Sequence, residues 1–427
     1  MKVEKFEKYQ YRKDKEMLEE FLEDYGYALL GEYYDGAKEV DDYRNNLLAN
    51  GLHLNSHIAP RLYNILEEIK TKLGIDIDVE FFLQNTAAEN AYSISSRKNG
   101  KNLIIIEAAI IRLLTDEELH FVIGHELGHI IFDHSRLIFP TINLMQNEEK
   151  TGNVSQDFAN KMLRWSRASE ISADRIGFLA CSNFKAAANA FFKMATGLDS
   201  SYLNFDIDGF VSQIFKIKDN QGFTDMDLST HPASPMRILA LKYFSESKLY
   251  DPQKTLSEDE LTEKVDELLF LHEKIPTDKD KVDELYFFSS AALMVAAADG
   301  EISGDEHSYI LEAMYDDTTY PQAFVDFKDM DEVRSVFEKK VKILKKSRTD
   351  KKFELFKVLV FVAIADGNLK KEESDMLSYI AQKLGIPEEY SKLIVKEICD
   401  QWLIPKSKKS QILVDNRSLT KNKEEKK

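Results

Sequence analysis

The stretch Phe121-Val122-Ile123-Gly124-His125-Glu126-Leu127-Gly128-His129-Ile130-Ile131-Phe132-Asp133-His134 decides how this chain is read. Its centre, H-E-L-G-H, sets two histidines one helical turn apart, with a glutamate directly after the first. At about 100° per residue, His125 and His129 lie about 40° apart on the same helical face. Two neutral imidazoles placed this way can hold one zinc ion. Glu126 is rotated off their line yet stays near enough to take a proton from a bound water. The plainer alternative is an amphipathic helix with solvated histidines, and the surroundings weigh against it. Thr115-Asp116-Glu117-Glu118 is a capping box, so a helix begins near Asp116 and meets no proline before Pro140. Gly124 and Gly128 each cost about 1 kcal/mol against alanine inside that helix. Close packing of its backbone on a neighbouring element would explain the cost.

A zinc site of this kind needs a third protein ligand. His134 falls about 180° round an uninterrupted helix from His125, which reads as a surface histidine near the helix C-terminus. His120 is about 140° away and fails likewise. Glu170 is the better candidate, in Arg167-Ala168-Ser169-Glu170-Ile171-Ser172-Ala173-Asp174-Arg175-Ile176-Gly177. Glu170 and Asp174 share a helical face, so one carboxylate can reach the metal. The other can accept the free N–H of a liganding histidine and fix its tautomer. Without the upstream motif, a solvated acidic face would be the preferred reading.

H-E-L-G-H, then E-I-S-A-D-R-I-G, then Thr230-His231-Pro232 followed by Arg237, resembles the zinc metallopeptidases of the HtpX and CAAX prenyl protease group. Asn90-Ala91-Tyr92 is similar to that family's Asn-Ala-aromatic segment, which precedes the strand leading to the active-site helix. The resemblance covers about residues 60–245. It implies that His125, His129 and Glu170 bind zinc, with Asp174 and Arg237 behind them. It further implies that His231 stabilises the oxyanion and that Asn90 to Ile94 binds substrate by strand addition. One departure stands out: those relatives are membrane proteins, whereas this chain shows no apolar run near the ~18 residues a membrane helix needs.

The 427 residues leave room for two or three domains, and a formal charge of −17 makes a nucleic-acid backbone an unfavourable partner. Two cysteines far apart, Cys181 and Cys399, offer neither a disulfide framework nor a thiolate metal site. No apolar signal core opens the chain. These features predict a cytoplasmic protein.

Along the chain, residues 1–58 read as a helical arm with apolar spacing at Met17, Phe21, Tyr25 and Leu29. The arm could pack on the next unit or face a partner. A helix follows from Pro60 to Leu73, then strands over Asp78–Leu83 and Leu103–Glu107 joined by a polar segment. His53 and His57 repeat the one-turn spacing but lie in a turn with no carboxylate beside them, which reads as structural or solvated. A polar surface loop is expected over Gln146–Gln156, a helix over Phe184–Met194 and a flap over Gly197–Asp227. Residues 246–280 read as a connector with one helix, opened by the capping box at Ser257.

Beyond the connector, Val295-Ala296-Ala297-Ala298-Asp299-Gly300-Glu301-Ile302 recurs as Val362-Ala363-Ile364-Ala365-Asp366-Gly367-Asn368-Leu369. Each copy gives an apolar helix, an Asp-Gly break and a second helix whose first turn carries Glu306 or Glu373. These repeats resemble TerB-like (tellurite-resistance) modules. The acidic pairs are read as helix caps rather than a cation site, because they lack dense oxygen-ligand spacing. The tail from 405 to 427 is polar and lysine-rich, and disorder is expected there.

The expected fold is α+β: a gluzincin-type zinc metallopeptidase domain (59–245) with a small sheet and active-site helix, then an all-α repeat domain (281–404). The expected activity is zinc-dependent endopeptidase cleavage of a protein or peptide substrate, with one Zn2+ per chain and Glu126 as base. A regulatory partner is expected on the C-terminal helical domain. Two other classes compete: a latent or inactive scaffold for stress signalling, and a chaperone-like protein that captures segments on its strand edge. A pure scaffold would need the ligands but not Glu126.

Overall fold

The computed structural model describes residues 4–24, 37–86, 90–95, 101–135, 137, 156–199, 201–214, 230–273, 275–276, 278–346 and 349–402. Residues 146–155 of the expected polar loop, 96–100 of the strand-linking segment, 200 and 215–227 of the expected flap, Tyr25 and Leu29, and the tail lie outside the described residues. The chain divides into two compact units, residues 1–273 and 274–427. Both are mostly helical, and the first contains a four-stranded sheet.

In the first unit a 3-10 helix (Glu4–Tyr9) leads to α1 (Arg12–Asp24), α2 (Ala37–Asn50), β1 (Leu52–Leu54), α3 (Pro60–Leu73) and β2 (Glu80–Gln84). Then come β3 (Ala91–Ser95), β4 (Asn102–Glu107), α4 (Ala108–Leu113), α5 (Asp116–Ile131), α6 (Gln156–Cys181) and α7 (Phe184–Thr196). A short α8 (Ile207–Val211), α9 (Ser234–Ser245) and α10 (Glu258–Phe270) complete the unit. The sheet order is β1-β2-β4-β3, with β2 and β4 parallel and both outer pairs antiparallel.

The continuous apolar run of β4 follows from helices covering both faces of the sheet. Ile104 and Ile106 join Leu54 and Phe81 in the large core beneath α3 and α5. On the other face Leu103 and Ile105 pack with Phe82 and Ile94 against Val40 and Leu47 of α2. All four β4 side chains are fully buried, each contributing about 1.5–3 kcal/mol. β3 lies at the sheet edge, beside α5.

The capping box at Thr115 forms as the sequence predicts: Thr115 Oγ1 accepts from Glu118 N, and Glu118 Oε2 accepts from Thr115 N at 2.8 Å. The same Glu118 oxygen takes a bond from Lys193 Nζ of α7 at 2.7 Å, with both side chains buried. The glycines also find their explanation. A Cβ added to Gly124 would stand 2.4 Å from Ala180 Cβ, one on Gly128 2.8 Å from Ala173 Cα, and one on Gly177 2.7 Å from Phe121 O. Helices α5 and α6 thus touch backbone to backbone, and only glycine allows that approach.

The N-terminal arm packs on α6. Phe21 joins Trp165 and Phe158 in one small cluster, with Met17 against it, and Tyr11 N donates to Ser172 Oγ at 2.9 Å. Helix α10, expected within a connector, contributes Leu261, Val265 and Leu268 to the main core of the first unit. His53 stacks on Phe82 at 4.9 Å and His57 is exposed, both away from the histidines of α5.

The second unit is all helical: α11 (Lys279–Ala296), α12 (Gly304–Glu312), α13 (Gln322–Val325), α14 (Met330–Leu344), α15 (Thr349–Ala363), α16 (Lys371–Leu384) and α17 (Glu388–Trp402). Gly300 and Gly367 end the two repeats' first helices with φ of 100° and 89°, a backbone state that favours glycine. Asp299 Oδ1 accepts from Glu301 N and Asp366 Oδ1 from Asn368 N, which are turn-closing bonds. Lys370 Nζ lies 2.6 Å from Asp299 Oδ2 and 3.5 Å from Asp366 Oδ2, so an ammonium already balances the paired aspartates. Glu306 and Glu373 are buried, each accepting an N–H from the start of its helix. Burial and the adjacent Glu306 carboxyl push Glu373 up to about 7.

Candidate metal centre

Helix α5 presents His125 and His129 on one face, as the spacing predicts, and their Nε2 atoms lie 3.0 Å apart. Glu170 of α6 meets them, with Oε1 3.3 Å from His129 Nε2 and Oε2 3.5 Å from His125 Nε2. Among the described residues, this is the only group of histidine, cysteine or acidic side chains close enough together to hold a metal.

The donor chemistry fits a cation. His125 Nδ1 lies 2.9 Å from Asp174 Oδ1, an acceptor, which places a proton on Nδ1 and a lone pair on Nε2. His129 Nδ1 is likewise engaged, at 2.7 Å from His134 Nδ1. Two ring nitrogens and a carboxylate therefore come together at one place. Glu170 Oε2 is buried and makes no well-aligned hydrogen bond, although charged neighbours lie close. Burial lowers the pKa of His129 and favours the neutral ring that a ligand must have, against an opposing pull from Glu170.

Arg237 of α9 locks the acidic side. Its Nε and Nη2 form a fork on Asp174 at 2.8 and 2.6 Å, and Nη2 lies 3.0 Å from Glu170 Oε2. Burial is the largest effect and acts to raise both carboxyls, but Arg237 together with the histidines outweighs it and holds Asp174 below the usual carboxylate range and Glu170 well below. The guanidinium also lies over the Phe191 ring, 4.6 Å from its centroid. His231 Nδ1 is 3.0 Å from Glu170 Oε2, with its side chain 61% exposed at the cleft mouth. The negative charge of Glu170 raises its pKa, which favours the protonated donor form. Glu126 is buried beside the histidines, and its burial raises its pKa against the lowering effect of His129.

His125, Glu126, His129, Glu170, His231 and Arg237 line one cleft of about 440 Å³, together with Asn90, Ala91, Tyr92 and Ser93 of the sheet edge. Residues 57–245 match peptidase family M48, and residues 288–395 match tellurite resistance protein TerB. The chain carries a peptidase M48 domain joined to a TerB domain. It is 26% identical over 196 residues to the plastoglobule-localized metallopeptidase 48 of Arabidopsis thaliana, covering 45% of this chain and 55% of that one. It is 30% identical over 122 residues to a protease HtpX homolog of Methanothermobacter thermautotrophicus, covering 27% and 44%. A second HtpX homolog, from Thermodesulfovibrio yellowstonii, is 32% identical over 84 residues, covering 20% and 28%. The chain thus spans about half, or less, of the length of the curated relatives it matches. No solved structure matches it significantly. Among the described residues, no helix is long and apolar enough to cross a membrane.

Within the M48 domain the edge strand is oriented for main-chain pairing. Asn90 O accepts from Glu107 N, and Ser95 N bonds Ser135 Oγ rather than β4. By alternation, the N–H and C=O of Ala91 and Ser93 point outward from the sheet, with the Ala91 N–H bonded to Asn90 Oδ1 at 3.0 Å. Tyr92 does not project there: its hydroxyl pairs with Tyr43 of α2 on the opposite face.

His134 departs from the sequence expectation. It is not a surface group but is 1% exposed, packed against His129 and Trp165. The helix ends at Ile131, and Asp133 takes a left-handed φ of 58°, so the chain folds back. His134 N then bonds His129 O at 3.0 Å and Asp133 N bonds Ile130 O, the Schellman pattern. The readable signal was an Asp, a residue that tolerates this backbone, at the close of the apolar run.

Proposed function

We propose that this chain is a zinc-dependent endopeptidase holding one Zn2+ per chain, with a gluzincin-type ligand set of His125, His129 and Glu170. The reading rests on those three groups converging beside a buried glutamate and the edge strand of the sheet. When bound, zinc supplies a Lewis acid that acidifies water and polarises a carbonyl. The chain's own residues do the rest. The outward main-chain groups of Ala91 and Ser93 hold the substrate extended by strand addition. Phe191 and Met194 line the cleft and offer an apolar side chain a place to bind. Glu126 takes the proton from the attacking water and returns it to the leaving amine, a role suited by its burial-raised pKa. His231, at the mouth, donates to the oxyanion of the tetrahedral intermediate. Asp174, held by Arg237, fixes the tautomer of His125. The TerB unit takes no part in this chemistry and serves as a docking module for a regulatory partner.

The test compares purified wild type and Glu126→Gln for zinc content and for cleavage of a peptide library. Wild type should carry one equivalent of zinc and cleave, while the variant keeps the zinc and does not. Cleavage at the wild-type rate by Glu126→Gln would remove the base from this scheme.

A further inference from the structure

Behind His129 and His134 stands a residue from far earlier in the chain, outside the stretch that matches the M48 family. Asp14 of α1 is fully buried, and its Oδ2 lies 3.1 Å from His134 Nε2. Its other neighbours among the described residues are all hydrogen-bond donors to it. Ser172 Oγ donates at 2.6 Å and Gln10 Nε2 at 3.0 Å, both to Oδ2, and Trp165 Nε1 donates to Oδ1 at 3.1 Å. Indole N–H can only donate. Ser172 Oγ already accepts from Tyr11 N, so its own proton goes to Asp14.

We infer that Asp14 is a positioning residue for the metal centre, acting through His134 to set the tautomer of His129. The carboxylate can only accept, so a neutral His134 ring carries its proton on Nε2 and offers a lone pair at Nδ1. His129 Nδ1, 2.7 Å away, must then supply the proton between the two rings. His129 Nε2 is left as a lone pair directed at the metal. The opposite order, with the proton on His134 Nδ1, would place one on His129 Nε2 and block ligation. His125 gets the same treatment from Asp174 directly, whereas His129 gets it through a relay of one ring. The N-terminal arm, undecided in the sequence, is thereby a working part of the site.

An Asp14→Asn change keeps the shape and weakens the acceptor. The new amide nitrogen must face either Trp165 Nε1 or the donors at the other oxygen, and in both orientations the neutral amide holds the His134 Nε2–H less strongly than the carboxylate does. That admits the opposite order, with protons on His134 Nδ1 and His129 Nε2. The inference rests on the zinc reading of the site, and chelator competition for zinc separates the two. Wild type should hold one zinc tightly, and Asp14→Asn should bind on the order of 10–100-fold more weakly, the usual cost of losing such an outer partner. Ser172→Ala removes a donor to Asp14 but not the acceptor for His134, so it should lose stability while keeping zinc affinity. His134→Asn retains an acceptor oxygen toward His129, and adding Asp14→Asn to it should produce no further loss. Nitrogen NMR of ring-labelled histidine in the wild-type protein should show His134 protonated at Nε2, which decides the matter even if Asp14→Asn does not fold. A wild type without zinc overturns both readings. Tight wild-type binding with unchanged affinity in folded Asp14→Asn, equal losses in Ser172→Ala, or His134 protonated at Nδ1 overturns this one alone.

Discussion

At the scale of single residues, the sequence made the centre legible wherever helical spacing carries the information. His125 and His129 share a face because they are one turn apart, and Glu170 and Asp174 do so for the same reason. His134 was misplaced because ideal helical rotation was carried past Ile131, where a single left-handed residue redirects the chain. Asp14 gave no signal, since nothing in a charged arm marks one aspartate for burial. The correction changes what mutation should do. His134→Ala, harmless for a surface histidine, should weaken zinc binding on the order of tenfold or more through His129. Glu170→Ala, losing a ligand, should purify with markedly less than one zinc. Metal analysis after dialysis ranks the variants, and full zinc in Glu170→Ala would exclude it as the third ligand.

At the scale of elements, the geometry of the centre is set by the crossing of α5 and α6. Both ligand-bearing helices meet through Gly124, Gly128 and Gly177, so backbone contact rather than side-chain fit fixes their separation. The sequence announced a close approach through its costly glycines but could not name the neighbour. Gly128→Ala drives a Cβ to 2.8 Å from Ala173 Cα, a backbone atom that cannot turn aside. It should destabilise the first unit by about 1–3 kcal/mol and loosen zinc binding as the helices part. Gly304→Ala, whose Cβ would meet nothing within 4 Å, is the control and should do neither. Urea unfolding with parallel zinc titration checks both. Strands β2 and β4 were readable from their β-branched and aromatic runs, whereas β1, at three residues, is too short to carry a pattern.

At the scale of the whole molecule, two units with separate cores should answer to different chemistry. The Asp-Gly repeat showed the second unit in the sequence, but the side on which α10 packs was not legible, because a capping box fixes a helix start and not its neighbour. Calorimetry of the intact chain should show two transitions. Chelation should lower only the first, by about 4 kcal/mol of stability if zinc had been present at a thousandfold its Kd. The second should respond to pH through Glu373, which faces Glu306 and Lys370. Its folded pKa of about 7 lies above the ordinary 4.5, so the folded unit holds the proton more tightly than the unfolded chain. The resulting stabilisation is fully present below about pH 4.5 and is lost as pH rises through about 7. Glu373→Gln should flatten that dependence. A second transition that falls equally steeply in the variant would assign the effect to other groups.

The contact between Asp14 and His134 also has a consequence in time. A ribosome adding about 5–20 residues per second delivers Asp14 roughly ten to forty-five seconds before Arg237. The arm must therefore wait while the helices that bring His134, Trp165 and Ser172 to Asp14, and then the Arg237 clamp, are still being made. On the zinc reading proposed above, metal capture at full strength is in this sense a late event in the life of each molecule.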